Sequence, residues 1–423
     1  RESAWLMPYV VVTGQHRDMV APVLKMAGIA PDADLAVARP GQDLNDVVAN
    51  VVKGLDELLT ELRGGPERRS RPRLFAGATN PGNPYPALTL VHGDTTSAMA
   101  GGLASVGARL PVAHVESGLR TGDILSPFPE ELNRQVLARL AALHFAPTIA
   151  NVENLVAERI DGSRVLQTGN TGLDALRLAA EFPVEWQDEH LAAALSGADP
   201  VLVVTAHRRE NLGSGIRGIA QAVAAIARAR PDLKVVWPMH PNPTVREQVI
   251  PALSDRPNVL LTEPMDYAHF AHLLSRATLA ITDSGGIQEE APSVGTPVLV
   301  ARDTSERPEG VAAGTLRLVG TDPHHVAAQA LQLLADETEY QAMQDATNPF
   351  GDGFAAQRIV TALEHLVFGD LAVDTSPGFS REAVLEFAGY SDAEIAETQR
   401  RVLATVPQAR QGSHETLRPA SVR

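Results

Sequence analysis

Two adjacent glycines follow a short apolar run in the second half of the chain. The run 279–282 predicts a buried strand, and a helical pattern begins at Ser284-Gly285-Gly286. The first amides of such a helix have no intrahelical partners, and with the helix dipole they favour an anion such as phosphate. Further along, the carboxylate of Glu290 can accept hydrogen bonds from sugar hydroxyls. The pattern predicts a site for a phosphorylated sugar nucleotide, although an ordinary strand-to-helix turn can carry the same residues.

Acidic and histidine residues follow other apolar runs. Asp94, Glu116 and His207 each come after a predicted strand, and Glu130 opens a helical pattern with Arg134 four residues later. Taken singly, each has an ordinary explanation: a helix N-cap for Asp94, a helix ion pair for Glu130 and Arg134, and a core histidine for His207. Because the carboxyl ends of parallel strands share one edge of a sheet, we expect these groups to converge on one crevice as acid–base residues.

The elements that must position these residues alternate between short apolar strands and longer amphipathic helices. This alternation predicts an α/β protein whose parallel sheets are covered on both faces, in two doubly wound domains. The predicted strands are 10–13, 88–92, 112–115 and 165–167 in the first half, and 201–205, 234–238, 259–261, 279–282 and 298–300 in the second. The clearest helical patterns cover 44–62, 95–106, 130–143, 216–229 and 326–334.

The domain boundaries follow from composition. We predict an N-terminal domain over residues 1–182 and a C-terminal domain over 183–368, whose final helix crosses back onto the first. The polar passage 183–200, which contains Pro and Gly, is the predicted hinge region.

Two segments depart from this regular pattern. The stretch 63–87 is rich in Arg, Gly and Pro, and we interpret it as a mobile surface insert, with an arginine-rich grip on a partner as the alternative. The C-terminal extension 369–423 predicts two short helices over 381–390 and 392–405, to which we assign no chemistry.

Composition excludes several classes of protein. The chain of 423 residues contains no Cys, which excludes disulfides and thiolate catalysis and fits a reducing cytoplasm. Its formal net charge of −15 argues against a nucleic-acid or anionic-membrane partner, since binding phosphates requires a basic face. No apolar span reaches membrane length, so we expect a soluble cytoplasmic protein.

Motifs of several other enzyme classes are absent or misplaced. The sequence has no G-x-x-x-x-G-K-[ST], no H-E-x-x-H and no G-x-S-x-G, which argues against P-loop, zincin and α/β-hydrolase chemistry. The run Gly213-Ser-Gly-Ile-Arg-Gly218 matches G-x-G-x-x-G but does not directly follow a strand and lacks a suitably spaced acidic residue. A nicotinamide cofactor is therefore not expected.

Seven motifs together carry a resemblance to a known family. In order they are His92-Gly-Asp-Thr-Thr, His114-Val-Glu-Ser-Gly-Leu-Arg-Thr-Gly, Pro129-Glu-Glu-Leu-Asn-Arg, His207-Arg-Arg-Glu-Asn, Thr282-Asp-Ser-Gly-Gly-Ile-Gln-Glu-Glu-Ala-Pro, Arg302-Asp-Thr-Ser-Glu-Arg-Pro-Glu and Asn348-Pro-Phe-Gly-Asp-Gly. From about Val10 to Leu366 the chain resembles the bacterial non-hydrolysing UDP-N-acetylglucosamine 2-epimerases. The resemblance implies a GT-B fold, two Rossmann-like domains facing a central cleft, and a homodimer. It also implies interconversion of UDP-N-acetylglucosamine and UDP-N-acetylmannosamine through a glycal, without metal or other cofactor.

The resemblance also implies roles for individual residues. Asp94, Glu116 and Glu130 would be the acid–base groups, with the direction of proton transfer left open. His207 would be the fourth catalytic residue and would stabilise the diphosphate or assist its departure. The substrate-binding residues would be Arg134, Phe270, Ser284, Gly285, Gly286, Glu290 and Arg307. Among them, Phe270 would stack on uracil and Glu290 would bind ribose hydroxyls. A second substrate molecule, bound as an allosteric activator, would be contacted by Gln15, Arg17, Gln42, Glu131, Arg208 and His240.

Two other functions would use the same nucleotide-binding residues. The first is a hydrolysing 2-epimerase or a GT-B glycosyltransferase, although three carboxylates around C2 favour epimerisation. The second is a nucleotide-sugar sensor without turnover.

The resemblance fails at the start of the sequence. The family begins with a strand that ends in a Gly-Thr-Arg-Pro-Glu loop, whereas this sequence begins at Arg1, near the end of the helix that follows. We expect residues upstream of Arg1 and, without them, an exposed seam in the first sheet and doubtful activity.

Overall fold

A computed structural model describes residue 3 and residues 6–64, 86–305, 307–368 and 378–405. Contacts divide the chain into two compact units. The first consists of Arg1–Phe145, Val152–Leu166 and Arg358–Arg423, and the second of Ala146–Asn151 and Gln167–Gln357. The predicted insert 63–87 lies outside the described residues except at its two ends.

The strands of the first unit form two parallel sheets. β1 (Val11–Val12) pairs with β2 (Ala33–Asp34). The second sheet has the order β3-β4-β5-β6, and its strands are β3 (Thr89–His92), β4 (Val112–Val115), β5 (Leu143–Ala146) and β6 (Val165–Gln167). All residues of β4 and β5 are buried, whereas Leu90 in the edge strand β3 keeps 49% of its surface exposed.

Five helices accompany these strands. They are α1 (Arg17–Met26), α2 (Leu44–Leu62), α3 (Thr96–Gly107), α4 (Glu130–Leu140) and α5 (Ile149–Ala157). In α2 the buried residues Val47, Val51, Leu55 and Leu59 recur every four positions, which places them on one face. This face packs against α3.

The second unit contains one six-stranded parallel sheet. Its order is β12-β11-β10-β7-β8-β9, the arrangement of a doubly wound Rossmann sheet. The strands are β7 (Val201–Thr205), β8 (Lys234–Pro238), β9 (Val259–Thr262), β10 (Leu279–Thr282), β11 (Val298–Val300) and β12 (Leu316–Leu318). β10 and β11 are buried along their whole length, as expected for apolar strands with helices on both faces.

Nine helices of the described residues belong mainly to this unit. They are α6 (Thr171–Glu181), α7 (Glu189–Ser196), α8 (Ser214–Ala229), α9 (Pro243–Leu253), α10 (Tyr267–Arg276), α11 (Gly285–Ser293), α12 (Pro308–Ala313), α13 (Pro323–Ala335) and α14 (Glu337–Gln344). The predicted boundary at residue 182 falls inside the unit, because α6 packs against α10 and α11. The predicted hinge region 183–200 also lies within it.

The last three helices complete the core of the first unit. They are α15 (Ala355–Phe368), α16 (Arg381–Phe387) and α17 (Asp392–Thr405). The bounds of α16 and α17 are close to those of the two helices predicted in the extension. Val384, Leu385 and Tyr390 are buried with Phe145 of β5. The guanidinium of Arg164 lies 3.6 Å from the centre of the Phe387 ring. The extension is therefore an integral part of this unit wherever it is described.

The predicted α/β class with parallel sheets is confirmed. Three short strands, β2, β5 and β12, were not predicted, and the helix predicted over 130–143 ends at Leu140 because β5 begins at Leu143. None of the helices in the described part of the chain combines the length and the apolar character needed to cross a bilayer.

Candidate active site

The second unit brings two predicted site segments together at the switch point of its sheet. β7 and β10 are neighbours, and the chain leaves them towards opposite sides, so a crevice opens at their carboxyl ends. His207 follows β7 and Ser284 follows β10. The hydroxyls of Thr205 and Thr282, the last residues of the two strands, lie 2.7 Å apart.

A buried carboxylate fixes the first of these segments. Asp283 is fully buried and accepts the backbone N–H of His207 at 3.0 Å and that of Arg208 at 2.9 Å. The side-chain amide of Asn211 donates to it at 3.0 Å. A carboxylate with three donors ties the loop after β7 to the end of β10.

The helix α11 begins beside this loop and presents an anion site. Ser284 is its N-cap residue but makes no capping hydrogen bond, and its own N–H donates to the Thr282 hydroxyl at 2.9 Å. A Cβ placed on Gly285 would lie 3.1 Å from Nη2 of Arg208 and 3.3 Å from Nη1 of Arg307. Two guanidinium groups and a helix N-terminus therefore meet at one glycine, which suits a phosphate or diphosphate.

Arg307 is held in place by a second buried carboxylate. Its Nε donates to Glu289 at 2.8 Å, and the side-chain amide of Asn170 donates to the other oxygen of Glu289. Asn348 donates to the Glu289 backbone carbonyl at 3.0 Å, which brings the last of the seven motifs to the same place. These contacts fix the guanidinium before any ligand arrives.

Glu290 and Phe270 lie on neighbouring helices of this unit. The Tyr267 hydroxyl donates to Glu290 at 3.1 Å, and burial raises the pKa of Glu290 although this hydrogen bond lowers it. Phe270 is partly buried and packs against the cluster that contains Leu273. Ribose binding by Glu290 and uracil stacking on Phe270 remain predictions.

His207 stacks on another histidine. Its ring and that of His240 are nearly parallel, with centroids 5.3 Å apart. Burial lowers the pKa of His207, and the charges of His240 and Arg208 lower it further, although the carboxylate of Asp283 raises it. The lowered pKa keeps His207 neutral at pH 7, so the ring can still accept a proton.

The first unit carries the predicted acid–base groups. Glu116 follows β4 with a φ of 63°, a left-handed conformation that is uncommon outside Gly. This backbone turn points its carboxylate towards β3, where Oε2 lies 3.1 Å from Nε2 of His92. The hydrogen bond to Glu116 is the largest cause of a raised pKa at His92. Asp94 lies two residues beyond His92, so the structure brings two of the three predicted carboxylates to neighbouring strand ends.

Arg134 connects Asp94 to a different glutamate from the one predicted. Its Nε donates to Asp94 at 3.0 Å and its Nη1 donates to Glu131 at 2.9 Å. Glu131 is fully buried and lies three residues before Arg134, so its carboxylate faces the Arg134 guanidinium directly. The alternative explanation of Glu130 and Arg134 as a helix ion pair is therefore wrong. Glu130 is half-buried, and its carboxylate has no hydrogen-bond partner among the described residues.

The N-cap alternative for Asp94 is also wrong. Thr95 is the N-cap of α3, and its hydroxyl accepts the Ala98 N–H at 3.1 Å. The Asp94 carboxylate binds Arg134 instead, which leaves it one-third exposed at the strand end.

The residues expected at an activator site divide between the two units. In the first unit, Gln15 accepts a hydrogen bond from Ser97 at 2.6 Å, and Arg17 pairs with Asp34 at 2.6 Å. Gln42 accepts the Arg39 N–H at 2.9 Å. Glu131 belongs to the Arg134 network, Arg208 to the anion site and His240 to the histidine stack. An activator site remains a prediction.

Sequence reasoning missed three residues that organise these sites. They are His92, Asp283 and Glu289, and each lies inside a quoted motif. His92 is the last residue of the predicted strand 88–92 and Asp283 directly follows the predicted strand 279–282, and these positions were the signal that could have identified them. Among the described residues, no group of three or more His, Asp or Glu side chains could hold a metal ion.

Comparisons with known proteins place both units in one family. A family model described as UDP-N-acetylglucosamine 2-epimerase matches residues 83–364. The UDP-N-acetylglucosamine 2-epimerase of Escherichia coli K12 is 46% identical over 362 residues, which is 84% of this chain and 90% of the relative. The corresponding enzyme of Bacillus subtilis is 43% identical over 355 residues, 84% of this chain and 87% of its own.

Solved structures similar to this chain come from the same family as its sequence relatives. A putative UDP-N-acetylglucosamine 2-epimerase from Listeria monocytogenes has a TM-score of 0.75 at 40% identity, covering 84% of this chain and 88% of that one. The Neisseria meningitidis UDP-GlcNAc 2-epimerase, solved bound to UDP-GlcNAc, has a TM-score of 0.70 at 38% identity, covering 86% and 93%. The predicted GT-B class is confirmed. The chain belongs to the UDP-N-acetylglucosamine 2-epimerase family of isomerases.

Proposed function

We propose that the protein interconverts UDP-N-acetylglucosamine and UDP-N-acetylmannosamine by eliminating UDP and adding it back. The observation that carries the proposal is the placement of Asp94 and Glu116 at the carboxyl ends of neighbouring strands, each held by a basic side chain. Family membership and the relative solved bound to UDP-GlcNAc support the substrate.

The chemistry explains why carboxylates and an anion site are both needed. The C2 proton of the sugar has no adjacent carbonyl and is a poor acid. As the C1–O bond breaks, UDP leaves with the electron pair and C1 gains positive character. A carboxylate then removes the C2 proton and the C1–C2 double bond of a glycal forms. Protonation of the opposite face of C2 and return of UDP to C1 complete the epimerisation.

The anion site of the second unit suits the departing UDP. Negative charge develops on the diphosphate as the C1–O bond breaks, and preorganised donors stabilise it without rearranging. The α11 N-terminus with Arg208 and Arg307 provides such donors. We assign His207 to the same charge, because it lies beside Asp283 at the neighbouring strand end.

Proton NMR with UDP-N-acetylglucosamine in heavy water tests the proposal. Deuterium entering C2 while the sugar stays joined to UDP supports epimerisation. Release of free UDP and free sugar would instead indicate a hydrolysing enzyme. Transfer of the sugar to an added acceptor would indicate a glycosyltransferase, and substrate binding without deuterium exchange would indicate a sensor.

Variants of two carboxylates sharpen the test. Glu116→Gln and Glu130→Gln should each lower C2 exchange at least about 100-fold, the usual minimum contribution of a positioned acid or base. Glu153→Gln, on the exposed face of α5, is the matched control. Normal turnover by both site variants would contradict the assignment. The homodimer and the cytoplasmic location expected from the sequence remain predictions, the first measurable by light scattering.

A further inference from the structure

A proton must be moved between turnovers in any epimerase that uses two carboxyl groups. One group takes the C2 proton from one face of the sugar and the other returns a proton to the opposite face. After one turnover the first group is protonated and the second is not, which is the reverse of the starting state. Before the same substrate reacts again, one proton must leave the first group and another must reach the second.

His92 lies where it can move such a proton. Its Nε2 is 3.1 Å from Oε2 of Glu116, within reach of direct proton transfer. The His92 side chain keeps 58% of its surface exposed and that of Glu116 keeps 30%, so the imidazole is the more accessible of the two to water. Gly93 between the strand end and Asp94 has a φ of 71°, and its carbonyl accepts a hydrogen bond from His114 at 2.8 Å. The backbone that carries His92 is thereby fixed to β4.

We propose that His92 is a positioning residue that passes protons between Glu116 and water after each turnover. This inference rests on the proposed epimerase function. When Glu116 is protonated, its O–H bond breaks as an N–H bond forms at Nε2 of the neutral imidazole. The resulting imidazolium releases its Nδ1 proton to water and becomes neutral, with its remaining proton on Nε2. Exchange of ring protons with water returns the proton to Nδ1 before the next transfer. The reverse sequence protonates Glu116, and neither direction needs an electron acceptor or a further reactant.

The charged groups around His92 suit this role. Glu116 and Asp94 both favour the protonated ring, so the pKa of His92 is raised, although burial lowers it. His114, which faces the same loop from β4, has a pKa lowered to about 4 by burial and is neutral at pH 7. The His92 ring is therefore a better proton acceptor than an isolated imidazole.

Chemical rescue by imidazole tests the relay. His92→Gln keeps a polar group beside Glu116, and His92→Ala leaves space for an imidazole molecule. The steady-state rate of epimerisation should fall about 100-fold in both variants, within the range that proton-transfer groups contribute. Free imidazole at constant pH should restore most of the rate of His92→Ala and leave the unaltered protein unaffected. His190→Gln, an exposed histidine of α7, is the matched control.

Two results would overturn the relay. One is turnover of both variants at the unaltered rate. The other is slow turnover that imidazole does not raise, in variants whose melting temperatures equal that of the unaltered protein. An unaltered protein that does not epimerise overturns the proposed function itself, and the relay with it.

Discussion

Asp283 binds the backbone N–H of His207 through both carboxylate oxygens, each at 3.0 Å. This relationship joins the ends of β7 and β10 at the switch point of the second sheet. It places the proposed diphosphate-binding histidine beside the helix that begins at Gly285. The carboxylate is fully buried, so its geometry is set by the protein and not by solvent.

Asp283→Asn should loosen this junction. An amide offers one acceptor oxygen in place of two, so a buried N–H loses its partner, which costs about 1–3 kcal/mol of stability. The epimerisation rate should fall with it, because His207 is no longer fixed. Urea unfolding and kcat measure the two effects. Asp322→Asn is the control, since Asp322 is an exposed N-cap and Asn caps helices as well as Asp. Equal behaviour of the two variants would contradict this role for Asp283.

Gly286→Ala should weaken UDP binding without destabilising the protein. A Cβ on Gly286 meets nothing within 4 Å, and Ala favours helix over Gly. The added methyl would instead occupy space at the helix start where a phosphate approaches, so we expect about a ten-fold loss of affinity, or about 1.4 kcal/mol.

Calorimetry with UDP measures this loss. Gly107→Ala in α3 is the matched control, because a Cβ there also meets nothing within 4 Å. Unchanged UDP affinity in Gly286→Ala would place the phosphate elsewhere.

Acid should destabilise the first unit through two buried histidines. Burial lowers the pKa of His114 to about 4 and that of His144 well below its usual range. The unfolded chain binds these protons near pH 6.5, whereas the folded protein excludes them. Stability is therefore complete above about pH 6.5 and falls as the pH drops towards 4, by about 3 kcal/mol for His114 alone.

Urea unfolding between about pH 7 and pH 4.5 measures this dependence. His114→Gln keeps a donor for the Gly93 carbonyl but does not titrate, so its stability should depend less steeply on pH. Identical slopes for the variant and the unaltered protein would show that His114 does not carry the effect.

The C-terminal helices should contribute to stability. Leu385 in α16 is 1% exposed and packs in the core of the first unit, so Leu385→Ala should cost about 2–5 kcal/mol. Leu178→Ala, at a position that is 50% exposed, is the matched control and should cost far less. Thermal unfolding compares them, and equal melting temperatures would mean that α16 is dispensable for the core.

Much of the second unit could be predicted because its strands are short apolar runs that can be identified from the sequence alone. Runs such as Val201–Thr205 and Leu279–Thr282 are apolar up to a final threonine, and their predicted bounds agree with the structure. The position of a residue within two places of the end of such a strand then predicts the sheet edge on which it lies. This reasoning was sufficient for His207 and Ser284.

Partners within the site could not be predicted in the same way. Spacing alone allows Arg134 to pair at three or four residues, and burial of Glu131 decides in favour of the former. The His92–Glu116 contact depends on a left-handed backbone at a glutamate, which no local preference indicates. β5, which contains His144, was missed because a short, mostly apolar run soon after a helix resembles a continuation of that helix.

The polypeptide passes between the two units at four places, after residues 145, 151, 166 and 357. Neither unit is therefore one uninterrupted stretch of chain. A gene fragment ending at residue 182 would carry α6 away from α10 and α11, the helices that cover it. A single cut in the gene would therefore give fragments with incomplete folds. To express either unit alone, its segments must be joined or the gene circularly permuted.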